Sequence, residues 1–179
     1  MNEFISVIRN RDLTDRVVFN AVWFQTLWFA CVLGRDVWLP LALLLVALHL
    51  LLVKSTVREL RRLAPVILIG VTVDTALSVS GVFDFGDGVV LPLWLMLVWF
   101  AFATTLSRSL AYLGKHLWLA AVAGAAAVPF NYWVGSQAGA VALPLGTATT
   151  LWILVPVWAA LLPLLFWISR RSALTGDYL

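Results

Sequence analysis

Cysteine, histidine and charge are all scarce in this chain of 179 residues. A single cysteine, Cys31, excludes an internal disulfide, and two histidines, His49 and His116, offer no spacing that fits a zinc or iron site. Charged residues make up 12% of the chain, against roughly 25% in a soluble domain. No paired catalytic carboxylates, no nucleophile beside a base and no glycine-rich phosphate loop can be assembled, so no catalytic residue, metal ligand or cofactor site is expected. What remains is apolar: 63% of residues are hydrophobic and the mean hydropathy is +0.98. This balance excludes a cytosolic enzyme, a secreted disulfide scaffold and a nucleic-acid binder, and predicts an integral membrane protein. Six spans of about 20 residues leave about 60 for ends and loops, too few for a separate soluble domain.

Charged residues cut the chain into apolar runs, which predict helices near 17–34, 37–53, 65–82, 89–107, 116–135 and 148–169. The expected fold is all-α: a polytopic membrane protein with six transmembrane helices. The expected organisation is a cytoplasmic or interfacial segment 1–16, one transmembrane domain 17–169 and a cytoplasmic tail 170–179. In the first segment, Phe4, Ile5 and Ile8 share a helical face beside Arg9 and Arg11, a pattern suited to an interfacial helix or to a frayed tail. The run from Val17 ends without a small-x-small cleavage site and reads as a retained helix rather than a signal peptide. Trp28 stands where a lipidated Cys31 would need a leucine, which argues against a lipoprotein.

The basic residues orient this arrangement. With the N-terminus inside, eleven of the twelve bases fall on the cytoplasmic side and only Arg35 lies outside, in keeping with the positive-inside rule. The stretch from Lys54 to Leu63 carries four of them, and reads either as an orientation-setting loop or as a contact for lipid phosphates or a partner. A second regularity is the pattern Val-x-Leu-Pro-Leu at Val37, Val89 and Val141, spaced by 52 residues, each copy opening an even-numbered helix. It allows three tandem two-helix hairpins of one orientation. A sixth helix starting at Val141 would be ~43 Å long, so it must tilt, kink near Pro156 or Pro163, or start with a lead-in outside the membrane.

Polar groups inside the spans carry the functional expectations, because a carboxylate at the bilayer centre costs about 2.5–3.5 kcal/mol on insertion scales. Of nine acids only Asp74 falls within an expected span, on a stripe with Gly70, Ser78 and Gly81 that must face protein or a cavity. Gln25 sits at nearly the same depth, and Trp28 shares its face, so an amide-carboxyl pair walled by an aromatic is expected. Asn20, about 140° from Gln25 around the helix, need not join and suits interhelical bonding. In the fifth helix, Ala121, Gly124, Val128, Asn131 and Gly135 form a small-residue stripe suited to close packing, and Asn131 and Tyr132 are placed to line a pocket with Trp28 and Ser78. Thr105 and Ser109 fit backbone capping as well as ligand contact. His49, about one turn inside the cytoplasmic end of the second helix, lies where an imidazole can reach interfacial water, and Asp84 and Asp87 read as residues of an external turn.

These spaced residues resemble a family of small bacterial inner-membrane proteins known only as a domain of unknown function. The resemblance runs over nearly the whole chain after residue 16. It rests on Asn20, Gln25, Trp28 and Phe29 in the first helix, Asp74 and Thr75 in the third, and Pro129, Tyr132 and Gly135 in the fifth. The fourth helix adds Pro92, Leu93, Trp94, Trp99, Phe102, Ala103, Thr105, Leu106 and Ser109. Val128 departs from the small residue expected before the proline. The resemblance implies a bacterial inner-membrane location and a genomic neighbourhood of enzymes that modify membrane fatty acids, among them cyclopropane-synthase-like methyltransferases; it implies no activity.

Two functions compete at this point. One is an accessory protein that binds a lipid or isoprenoid-like amphiphile, or a lipid-modifying enzyme, around Gln25, Trp28, Asp74, Ser78, Asn131 and Tyr132. The other is a small proton-coupled transporter using Asp74. An enzyme using Asp74 as acid or base lacks a visible second catalytic group. Membrane lipids are the expected partners, and nucleic acid is not.

Overall fold

The computed structural model describes the backbone of residues 13–176 and the side chains of 13–172. The interfacial face expected at Phe4, Ile5 and Ile8 lies outside the described residues. After a 3-10 turn at Leu13–Asp15 come α1 (Val17–Gly34), α2 (Leu39–Leu52), α3 (Thr56–Val79), α4 (Leu93–Leu106), the short α5 (Ala111–Lys115), α6 (Leu117–Gln137) and α7 (Thr147–Gly176). The protein is all-helical, and α1, α3, α6 and α7 are long and apolar enough to cross a membrane. At 14 residues each, α2 and α4 reach only ~21 Å along their axes.

The helices form where the apolar runs predict them, with four differences that have physical causes. α3 begins at Thr56 rather than near residue 65, because Ser55 caps it by accepting from the Arg58 amide (3.4 Å). Glu59, Leu63, Val66, Gly70, Asp74 and Leu77 then make one continuous buried stripe through Pro65. α4 starts four residues late, after Pro92 in extended backbone. The preceding stretch turns back, and Asp84 and Ala142 exchange two backbone hydrogen bonds (3.0 and 2.7 Å). The third Val-x-Leu-Pro-Leu copy therefore does not open a helix: it is the extended lead-in that pairs with Asp84, and α7 starts at Thr147. At the other end α7 runs on through residues expected as a tail, and the Arg171 guanidinium lies 4.0 Å over the Trp167 ring one turn away.

Packing interleaves the helices. α6 and α7 form the most extensive pair, but α1 packs more extensively on α4 than on its hairpin neighbour α2, and α3 more extensively on α7 than on α2. The α1–α4 contact is clamped by Asn20, whose Nδ2 donates to Thr104 Oγ1 (2.9 Å) while its Oδ1 accepts from the Ser109 amide (3.2 Å) and hydroxyl (2.6 Å). The interhelical role expected of Asn20 is thus met. Thr105 bonds back to the Phe102 carbonyl (2.6 Å), a local cap. Arg35, at the end of α1, donates to the Gly139 carbonyl (2.8 Å) and ties the α1–α2 turn to the α6–α7 connection beside the Asp84–Ala142 bridge. Asp84 and Asp87 lie in that turn, as expected, with Asp84 Oδ1 accepting from the Gly86 amide (2.8 Å).

Candidate functional site

Asp74 is fully buried on the inward stripe of α3, and both its oxygens are engaged from other helices. Trp99 of α4 donates its indole N–H to Oδ2 (2.7 Å), and Tyr132 of α6 donates its hydroxyl to Oδ1 (2.5 Å). An indole nitrogen can only donate, so Oδ2 is the acceptor of that bond. Gly70, one turn before Asp74, makes this possible: a Cβ there would overlap the benzo ring of Trp99. Gly70→Ala is therefore expected to push Trp99 off its bond and to cost about 1–3 kcal/mol, read by SDS-titration unfolding. A wild-type unfolding curve would show that the ring has room to move.

Stacking extends the cluster. Trp99 lies parallel to Trp158 of α7 (5.6 Å, 12°), and Tyr132 lies on Phe83 (4.5 Å, 11°). In front of Trp99 and Tyr132 is a cavity of about 230 Å³, larger than the roughly 150 Å³ apolar cavities that stay dry and accept benzene. One wall is α1, through Phe24, Trp28 and Val32 at successive turns, with Trp94, Val98 and Phe102 of α4 beside it. The facing wall is α6, through Ala127, Asn131, Tyr132 and Gly135, and Trp158 and Leu162 of α7 form the back. Phe85 and Val141 close one end; Leu110 and Leu113 line the other. α1 and α6 share no packed interface of comparable extent to their other contacts, so the cavity lies in a cleft between them. Polar groups on the lining are few: the Tyr132 hydroxyl is bonded to Asp74, Asn131 donates to the Ala127 carbonyl (2.9 Å), and the buried Trp158 indole nitrogen has no partner among the described residues.

A family model described as a protein of unknown function, DUF2878, matches residues 17–164, well over half of the chain. The chain belongs to the DUF2878 family. No curated protein and no solved structure matches it. In this DUF2878 chain, Trp28, Asn131 and Tyr132 line one cavity as the sequence suggests, with Asp74 directly behind Tyr132. Ser78 is half-buried and does not line it.

Gln25 departs from its expected role: it is exposed and does not bond Asp74, whose partners are Trp99 and Tyr132. The buried arc of α1 is centred on Asn20, Leu27 and Cys31, with Trp28 and Val32 towards one edge. Gln25, a further ~60° around from Trp28, falls outside the arc.

A second polar cluster, which the sequence reading missed, occupies the end of the bundle opposite Arg35. Glu59 is 6% exposed; Arg108 spans its two oxygens (2.9 and 3.2 Å), Arg62 adds a third contact (2.7 Å), and His49 Nε2 approaches Oε1 (3.1 Å). Arg108 Nε also bonds Asp15 (2.9 Å), and His49 stacks on Trp23 (4.6 Å). His49 therefore does not reach interfacial water: it is buried between Trp23 and Glu59. The available signal was one acid among Arg58, Arg61 and Arg62, with Arg108 as a lone base ending the fourth apolar run.

Proposed function

We propose that this protein spans the bacterial inner membrane with six helices and both termini cytoplasmic, and holds a lipid or isoprenoid-like chain in the aromatic cavity as an accessory to membrane lipid modification. The observation that carries this reading is the cavity itself: apolar, walled by Trp28, Trp94, Trp99 and Trp158, and set in a cleft between α1 and α6. A chain entering sideways from a bilayer meets mostly apolar and aromatic surface along that route, with Asn131 as the one exposed amide on the α6 wall, which suits a hydrocarbon over a polar solute. The implied neighbourhood of fatty-acid-modifying enzymes agrees with such a ligand. The orientation draws support from the gathering of Asp15, Glu59, Arg62 and Arg108 at one end, with Arg35 at the other. The transporter reading draws on Asp74, but two donors from two helices already occupy that carboxyl, which favours a lock between helices over a carried proton.

Mass spectrometry of what stays bound after gentle detergent purification tests the proposal. A defined amphiphile, enriched over bulk membrane lipid, is expected on the native protein. Ala127→Trp, at an exposed position on the α6 wall, is expected to fill the cleft and reduce retention about tenfold, equivalent to roughly 1.4 kcal/mol. Retention of bulk lipid in unchanged proportion by both proteins would falsify the reading.

A further inference from the structure

A second cavity, separate from the aromatic one, opens beside the Glu59 cluster. It has a volume of about 270 Å³, and among the described residues its walls bring Arg58, Arg62 and Arg108 together with two acids, Asp15 and Glu59. Arg108 is already committed to carboxylates, since each of its three guanidinium nitrogens bonds Asp15 or Glu59. Arg62 differs: one terminal nitrogen bonds Glu59, while its Nε is buried without a partner among the described residues. Arg58, one turn before Arg62 on α3, is exposed at the mouth. A half-buried pocket with an excess of positive charge and an unsatisfied guanidinium donor is stabilised by an anion with several acceptor oxygens, and guanidinium forks fit a tetrahedral oxyanion in two-point contacts.

We propose that this pocket binds a phosphate group, with Arg58 and Arg62 as its principal ligands. The phosphate belongs either to an anionic lipid headgroup at the membrane boundary or to a soluble phosphate compound; the recognition chemistry is shared. Glu59 and Arg108 are the frame that aims Arg62. None of these residues lines the aromatic cavity, so this site stands or falls independently of the chain-binding reading.

The test uses the full chain in phosphatidylcholine nanodiscs. One arm titrates inorganic phosphate; the other replaces part of the lipid with phosphatidylglycerol. Both are read by the shift in unfolding temperature, and the second also by native mass spectrometry of retained lipid. A saturable upward shift is expected in at least one arm. A response to phosphatidylglycerol alone identifies a headgroup, and a response to inorganic phosphate identifies a soluble ligand. Arg58→Gln and Arg62→Gln are each expected to raise the half-saturating concentration about tenfold. Arg61→Gln, a neighbouring exposed base that does not line the pocket, is expected to leave it unchanged. Should Arg62→Gln fail to fold because Glu59 loses a partner, Arg58→Gln carries the test from its exposed position. No shift in either arm, or an equal loss with Arg61→Gln, overturns the proposal.

Discussion

Glu59→Leu is expected to lower the stability of the folded protein by about 3–5 kcal/mol, with Arg108→Leu close behind. Arg108 is 5% exposed in its side chain, and its contacts to Glu59 hold α4 against α3. Removing the carboxylate leaves a buried guanidinium with, among the described residues, only Asp15, itself 54% exposed, to offset it. The same substitutions combined should recover much of the loss, because a buried ion pair replaced as a unit by apolar side chains is often neutral or better. Of the groups left over, Arg62 and Asp15 retain access to water, while the buried His49 loses its partner and keeps part of the cost. Equilibrium unfolding by SDS titration in mixed micelles measures each step. A single-variant cost below about 1 kcal/mol would mean that the cluster behaves as a solvated surface pair.

Trp99→Ala should be comparably severe, about 3–5 kcal/mol, since that one ring contacts Asp74, Gly70 and Trp158 on two neighbouring helices. Trp99→Phe separates the contributions: most of the stacking surface stays, the indole donor goes, and Asp74 Oδ2 is left buried and unbonded at a cost of about 1–3 kcal/mol. Adding Asp74→Leu and Tyr132→Phe to Trp99→Phe should return part of that cost, because the orphaned acceptor and the hydroxyl that faces it are then removed together. A Trp99→Phe protein as stable as wild type would mean that water or rearrangement satisfies Asp74, and the lock would have to be abandoned. The same unfolding measurement reads all three proteins.

Much of this architecture is legible in the sequence, for reasons visible in particular residues. The first apolar run, 17–34, coincides with α1 because charges at Arg16 and Arg35 bracket it. Asp74 stands out because no partner is needed to recognise a carboxyl as costly at that depth. Its partners do not stand out: Trp99 looks like any of ten tryptophans until Gly70 is seen beneath its ring. Glu59 is hidden among arginines that suggest a solvated loop, although the capped helix beginning at Thr56 turns it inward. Gln25 shares the depth of Asp74 but faces outward, because depth along a helix leaves rotation about its axis unfixed and a fraction of a turn exchanges core for surface. The constant 52-residue spacing identifies three equivalent places in the chain but not an equivalent use of them, since pairing with Asp84 keeps the third extended.

That pairing has a mechanical consequence. With Arg35 fastened to Gly139 and Asp84 to Ala142, the connections at one end of the bundle are stapled to each other across the mouth of the cleft. The Asp84–Ala142 pair is backbone to backbone, and the Arg35 side chain adds a second tie to a backbone carbonyl, so the cleft is pinned at this end and any widening between α1 and α6 is greatest at the far end, past Leu110 and Leu113. The protein is built like a clothes-peg, its spring at the Arg35 end and its jaws beside the arginines.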